Sequence, residues 1–204
     1  MGAATHGRAR TGRPLVLACL SVAGSYLAIR SGKAEPLDAA AGRLATRGDS
    51  PRLDRVIAIA TELGSVYGLA GVAGSLAVSR RPRLAVRLAA AGLTAWTAAQ
   101  AVKPLLHRPR PYELGTSPRL VSPPAGSSWP SGHAAVAAAM AATVVPELPR
   151  HHRVGAVVLT TAVGVSRLRV GVHHLTDVVA GFGVGVMSAL AVGEAFTRWR
   201  RRWP

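Results

Sequence analysis

The chain has 204 residues, 49% of them hydrophobic and only 17% charged, a balance that points to a membrane protein of one compact domain. A formal net charge of +16 would suit a nucleic-acid binder, but the arginines lie at the ends of apolar runs and aromatic residues make up only 4%, which excludes that class. The single cysteine, Cys19, excludes an intrachain disulfide.

In chain order, six hydrophobic segments run over 14–30, 53–79, 84–106, 131–146, 154–172 and 174–196, separated by loops carrying Arg, Pro and Gly. A helix crossing the hydrocarbon core needs about 20 apolar residues, and the fourth segment is short of that. The expected fold class is all-α: a polytopic membrane bundle of six transmembrane helices over 14–197, with basic tails at 1–13 and 198–204. The first segment, within "RARTGRPLVLACLSVAGSYLAI", has the basic start and apolar run of a signal peptide. Its apolar run continues past Cys19 to Ile29 with no clear small-residue cleavage site, so it is read as an uncleaved span in which Cys19 faces lipid or packs. In the second and sixth segments, Gly64 with Gly68 and Gly181 with Gly185 have the spacing that lets helix backbones approach closely, a spacing an Ala/Gly-rich chain also produces without consequence. Glu62 is costly in lipid and should face a polar interior. Either it reaches the functional site, or it pairs with Gln100 or a backbone group.

Orientation follows from Lys and Arg in the short loops. With the N-terminus inside, Arg8, Arg10, Arg13, Arg80, Arg81, Arg83, Arg150, Arg153, Arg198, Arg200, Arg201 and Arg202 fall on the cytoplasmic side, outnumbering those opposite. Both termini are then cytoplasmic, and the 107–130 loop and the 170–174 turn share the outer face. Trp129 is expected to anchor that loop at headgroup level, and Trp199 and Trp203 to form an interfacial tail at the inner leaflet.

The outer face collects three motifs. Lys103, Arg110 and Pro111 form K(x6)RP; Pro130 to His133 read PSGH; Ser166, Arg167, His173 and Asp177 form SR(x5)H(x3)D. Taken alone, Lys103 is equally a cation that snorkels to the interface. Together the motifs fill every fixed position of the three signatures of the type 2 phosphatidic acid phosphatase superfamily, which the chain resembles. The superfamily includes vanadium-dependent haloperoxidases, and its membrane branch has six helices with the site at the outer face. The resemblance implies a membrane phosphatase acting on a lipid phosphate or prenyl (di)phosphate.

The physical chemistry of the residues runs alongside. Phosphoryl transfer spreads negative charge over three equatorial oxygens, so a protein's main task is to fix positive groups and N–H donors around them. Lys103, Arg110 and Arg167 suit that task, and Ser131 and Gly132 open a helix whose bare N–H groups bind anions. His173, placed with Asp177 on one helical face, is the expected nucleophile, with the carboxylate fixing its tautomer. His133 is the expected acid for the leaving oxygen and base for water. The scheme needs no metal and no cofactor; His151 and His152 lie on the inner face. His107, Arg169 and His174 are read as supporting or interfacial groups.

The expected partners are the lipid substrate and the bilayer, with no nucleic acid and the oligomeric state left open. Two rival readings remain. A vanadate-dependent haloperoxidase would use the same anion pocket, but that branch is soluble and six membrane-length runs argue against it. A non-catalytic protein binding lipid phosphate would keep the fold, yet no catalytic position is missing.

Overall fold

The computed structural model describes residues 3–48 and 50–202, with side chains from Gly12 onward. Arg8, Arg10 and Trp203 of the two tails thus lie outside the described side chains. Regular structure among the described residues is entirely helical: α1 (Ala3–Arg30), α2 (Glu35–Ala45), α3 (Pro51–Ala60), α4 (Val66–Val78), α5 (Pro82–Val102), α6 (Gly132–Val144), α7 (Arg150–Arg169) and α8 (Leu175–Arg202). Short 3-10 turns follow α3, α5 and α6.

Each of the six expected segments coincides with helix, but two features differ. α2 occupies what reads in sequence as a plain loop. The second segment is broken: α3 with its 3-10 turn meets α4 at 64°. The break has a local cause, because Ser65 ends the turn and caps α4, its hydroxyl accepting from the Tyr67 and Gly68 amides at 3.1 and 3.2 Å. Gly64 sits where a Cβ would collide with the His133 carbonyl and a Val163 methyl, so the turn is pressed onto α6 and α7. By length and composition, Gly12–Arg30 and Leu175–Arg202 can each cross a membrane alone, and the bent pair makes a third candidate. α5 and α7 carry arginines in their first turns, and α6 has only 13 residues.

α6 lies at the centre, packed against α5, α7 and α8, while α1 covers α8 and α4 covers α5. Its sequence GHAAVAAAMAATV has no polar face, and every residue from Ala134 to Ala139 is buried. Ala91, Ala95 and Ala99 of α5, Ala135 and Ala139 of α6, and Val184 and Ala189 of α8 form one cluster. Such small residues let helices close on each other, which is how association is driven where lipid offers no hydrophobic contrast. Gly181 and Gly185 serve this directly, since a Cβ at either would strike the α6 backbone at Ser131 and Ala135. Of the two readings of that glycine pair, the close-approach one holds.

The motif-bearing ends meet at one end of the bundle. α1 ends there at Arg30 and α8 begins there, so the α1 start and the α8 end both lie at the other, alongside the Arg87–Glu147 ion pair at 2.9 Å.

Candidate active site

Arg110 organises the site from the 103–131 loop. It is 1% exposed, and its guanidinium donates to the Val172 carbonyl at 2.9 Å and to the Ala125, Gly126 and Ser127 carbonyls at 3.1 to 3.2 Å. One side chain thereby ties the loop to the turn after α7. Burial lowers its pKa, yet a guanidinium stays charged in a protein. Its own amide donates to the Glu113 carboxylate at 2.8 Å. Lys103, in the 3-10 turn after α5, donates to the Ser127 carbonyl at 2.5 Å. Arg167, in the last turn of α7, donates to the Thr61 hydroxyl at 2.8 Å, and Ser166 lies 2.8 Å from the same hydroxyl. The break in the second segment therefore delivers Thr61 to a motif arginine.

His173 does not stand on a helix beside Asp177, as the spacing suggested. Gly171 takes a φ of +76°, α7 stops, and α8 starts only at Leu175, so His173 belongs to the turn. Its Nδ1 lies 3.7 Å from Asp177 Oδ2, an ion-pair separation too long for a hydrogen bond. Asp177 is held by others. It accepts from Ser128 Oγ at 2.5 Å, from the His174 amide at 2.8 Å and from Arg108 Nη1 at 2.6 Å. Arg108 also donates to Asp38 of α2 at 2.5 Å, and Asp38 accepts from the amide and hydroxyl of Thr176 at 2.9 and 2.8 Å. The Ser131 amide donates to the Asp177 carbonyl at 3.0 Å, joining the second motif to the third. Burial pushes the His173 imidazole down to about 4, against the pull of Asp177. At neutral pH the ring is uncharged, the state a nucleophile needs.

A cavity of about 960 Å³ opens at this end, lined by Lys103, Arg110, Gly132, His133, Arg167 and His173 among others. Four buried nitrogens of these residues have no hydrogen-bond partner: Arg110 Nε, His133 Nε2, Arg167 Nε and His173 Nδ1. Ser131 and Asp177 are fully buried behind the wall. Ser131 caps α6, its hydroxyl accepting from the Ala134 amide at 3.4 Å.

The family model of the PAP2 superfamily matches residues 83–201, more than half of the chain and every motif position. The chain belongs to the PAP2 superfamily. The crystal structure of the first transmembrane PAP2-type phosphatidylglycerolphosphate phosphatase from Bacillus subtilis superposes with a TM-score of 0.74 at 25% identity, over 93% of this chain and 98% of that one. Aquifex aeolicus LpxE superposes with a TM-score of 0.67 at 24% identity, over 75% of this chain and 92% of its own, a likeness of fold. No curated protein sequence matches the chain significantly.

Within this PAP2 scaffold, several residues next to the motifs escaped the sequence reading. Arg108, at an unspecified position within K(x6)RP, bridges the motif aspartate to Asp38, and Thr61 meets Arg167; Asp38 and Thr61 come from parts of the chain with no local signature. Glu62 faces the cavity, 3.8 Å from His133 Nε2, which decides between its two readings in favour of the site. Trp129 is not at the interface: it is 2% exposed, donates from Nε1 to Ser25 Oγ at 3.1 Å and packs on Tyr26. Arg169 is also structural, pairing with Asp54 at 2.7 Å and donating to the Ala45, Arg47 and Gly48 carbonyls.

Proposed function

We propose that the protein is an integral membrane phosphatase that hydrolyses a lipid phosphate or isoprenoid (di)phosphate through a phosphohistidine on His173, without a metal. The observation that supports this most is the group of unpartnered buried nitrogens on residues lining one cavity. Leaving a buried donor unpaired costs free energy, and a substrate phosphate's oxygens are the acceptors that would relieve Arg110 Nε, Arg167 Nε and His133 Nε2, whereas His173 Nδ1 faces Asp177. Lys103, Arg110 and Arg167 hold the phosphoryl group, with the Gly132 end of α6 presenting backbone N–H groups beneath the cap made by Ser131. His173 Nε2 attacks phosphorus while Asp177 stabilises the developing charge at Nδ1. The P–O bond breaks, and the departing oxygen takes a proton from His133. His133, now neutral, then draws a proton from the water that attacks the phosphohistidine, releasing inorganic phosphate and restoring His173.

Because the charge and the nucleophile both come from the chain, phosphate release from a panel of lipid phosphates is expected to persist in excess EDTA. Vanadate, which adopts a trigonal-bipyramidal shape, is expected to inhibit it. Loss of activity on chelation with recovery on adding magnesium overturns the mechanism.

The proposed topology has both termini cytoplasmic and the site on the extracytoplasmic side, where the substrate's tail stays in the bilayer. In a Cys19→Ser background, Leu114→Cys, at an exposed position of the 103–131 loop, is expected to react with a membrane-impermeant thiol reagent in intact cells. Arg150→Cys, at the start of α7, is expected not to. The reverse labelling pattern puts the site in the cytoplasm.

A further inference from the structure

We propose that Glu62 selects the substrate by the charge of its leaving group, so that the protein hydrolyses lipid phosphomonoesters and disfavours diphosphates. The inference rests on the assignment of His133 as the acid that meets the leaving oxygen. Glu62 Oε1 lies 3.8 Å from His133 Nε2, a nitrogen that is buried and otherwise without a partner. Its side chain is 54% exposed, and it is the one carboxylate among the described residues that line the cavity. The turn that carries it is held tightly. Thr61 is bound by Arg167 and lies against Ser166, and Gly64 is pressed onto the His133 backbone. A carboxylate carried on a held turn beside the leaving-group acid, in a cavity whose other charged lining groups are cations, acts on whatever departs past it.

The two substrate classes differ in what departs. In a monoester, attack by His173 breaks the bond between phosphorus and the alkyl oxygen. The electron pair leaves on that oxygen, the His133 proton joins it, and a neutral alcohol passes Glu62. In a diphosphate the bond broken joins the terminal phosphorus to the bridging oxygen. The pair then leaves on a phosphate monoester, which keeps negative charge even after taking the proton. A group that takes its proton from His133 Nε2 departs beside the Glu62 carboxylate, which lies 3.8 Å from that nitrogen, and like charges so placed repel. Any repulsion between Glu62 and the transferred phosphoryl group is common to both classes and is offset by Lys103, Arg110 and Arg167, so the ratio of the two rates isolates the leaving group.

Farnesyl monophosphate and farnesyl diphosphate share a tail and differ in this respect, and initial phosphate release from each by the purified full-length protein in detergent tests the idea. The wild type is expected to show the higher kcat/KM on the monophosphate. Glu62→Gln is expected to shift the ratio toward the diphosphate by about tenfold, the effect of removing one near like charge, while Glu62→Asp keeps the wild-type preference. Because each ratio is taken within one preparation, partial misfolding does not alter it. A ratio unchanged in Glu62→Gln, or a wild type that prefers the diphosphate, overturns the proposal and leaves the phosphatase reading standing. Absence of phosphate release and of phosphohistidine with every lipid phosphate overturns both.

Discussion

The His173→Ala protein is expected to form no phosphoenzyme and to release no phosphate from any substrate, whereas His133→Ala is expected to fail only where a proton is needed. Without the imidazole of His173 there is no atom to receive the phosphoryl group, whatever the leaving group. Loss of a general acid typically lowers the rate by about 10² to 10⁴, and the loss is felt most with a poor leaving group such as a lipid alkoxide. An aryl phosphate, whose phenolate departs unprotonated, is expected to phosphorylate His133→Ala in a burst. Hydrolysis then stalls for want of a base to activate water. Acid-labile phosphate trapped on His133→Ala and not on His173→Ala supports the assignment. The opposite pattern means the two histidines exchange roles.

Arg108→Ala is the substitution expected to cost most in stability. Arg108 lies between two carboxylates that are almost wholly buried, Asp38 and Asp177, and its side chain is itself only 10% exposed. Removing one member of such a group strands buried charge, at a cost of about 3 to 5 kcal/mol. For a chain of this length that corresponds to a fall in unfolding midpoint on the order of 10 °C, measurable in detergent by thermal denaturation. Adding Asp38→Asn to Arg108→Ala is expected to restore part of the loss, because one stranded charge is then neutral. An unchanged midpoint in Arg108→Ala means that the carboxylates do not depend on the arginine.

Much of the arrangement is legible in the sequence because it rests on local signals. Apolar runs mark the helices, and Lys103, Arg110, His133, Arg167 and His173 of the three motifs do line one cavity. What is not legible depends on pairs far apart in the chain. Asp38 meets Arg108 across 70 positions and Ser25 meets Trp129 across 104, and nothing near either residue announces the partner. Trp129 reads as an interfacial anchor because a tryptophan in a loop between spans usually is one; its burial rests on the distant Ser25 hydroxyl, the Tyr26 ring and a cluster with Leu106 and Ala180. The spacing of His173 and Asp177 suggests a shared helix face, but a left-handed glycine two residues before the histidine ends one helix before the next begins. The break at Thr61–Gly64 is faintly written in "TELGS", where polar and small residues interrupt an apolar run.

That break also brings one residue, Glu62, into the cavity from outside the stretch that the PAP2 pattern spans. Every residue assigned here to phosphoryl transfer falls within 83–201, the stretch that the PAP2 pattern spans, whereas Thr61, Glu62 and Asp38 precede it. Among the described residues that line the cavity, Glu62 is thus the one encoded apart from the motif cations Lys103, Arg110 and Arg167. Varying position 62 alone among PAP2 proteins offers a route to new substrate preferences that leaves the Asp38–Arg108–Asp177 and Thr61–Arg167 contacts untouched.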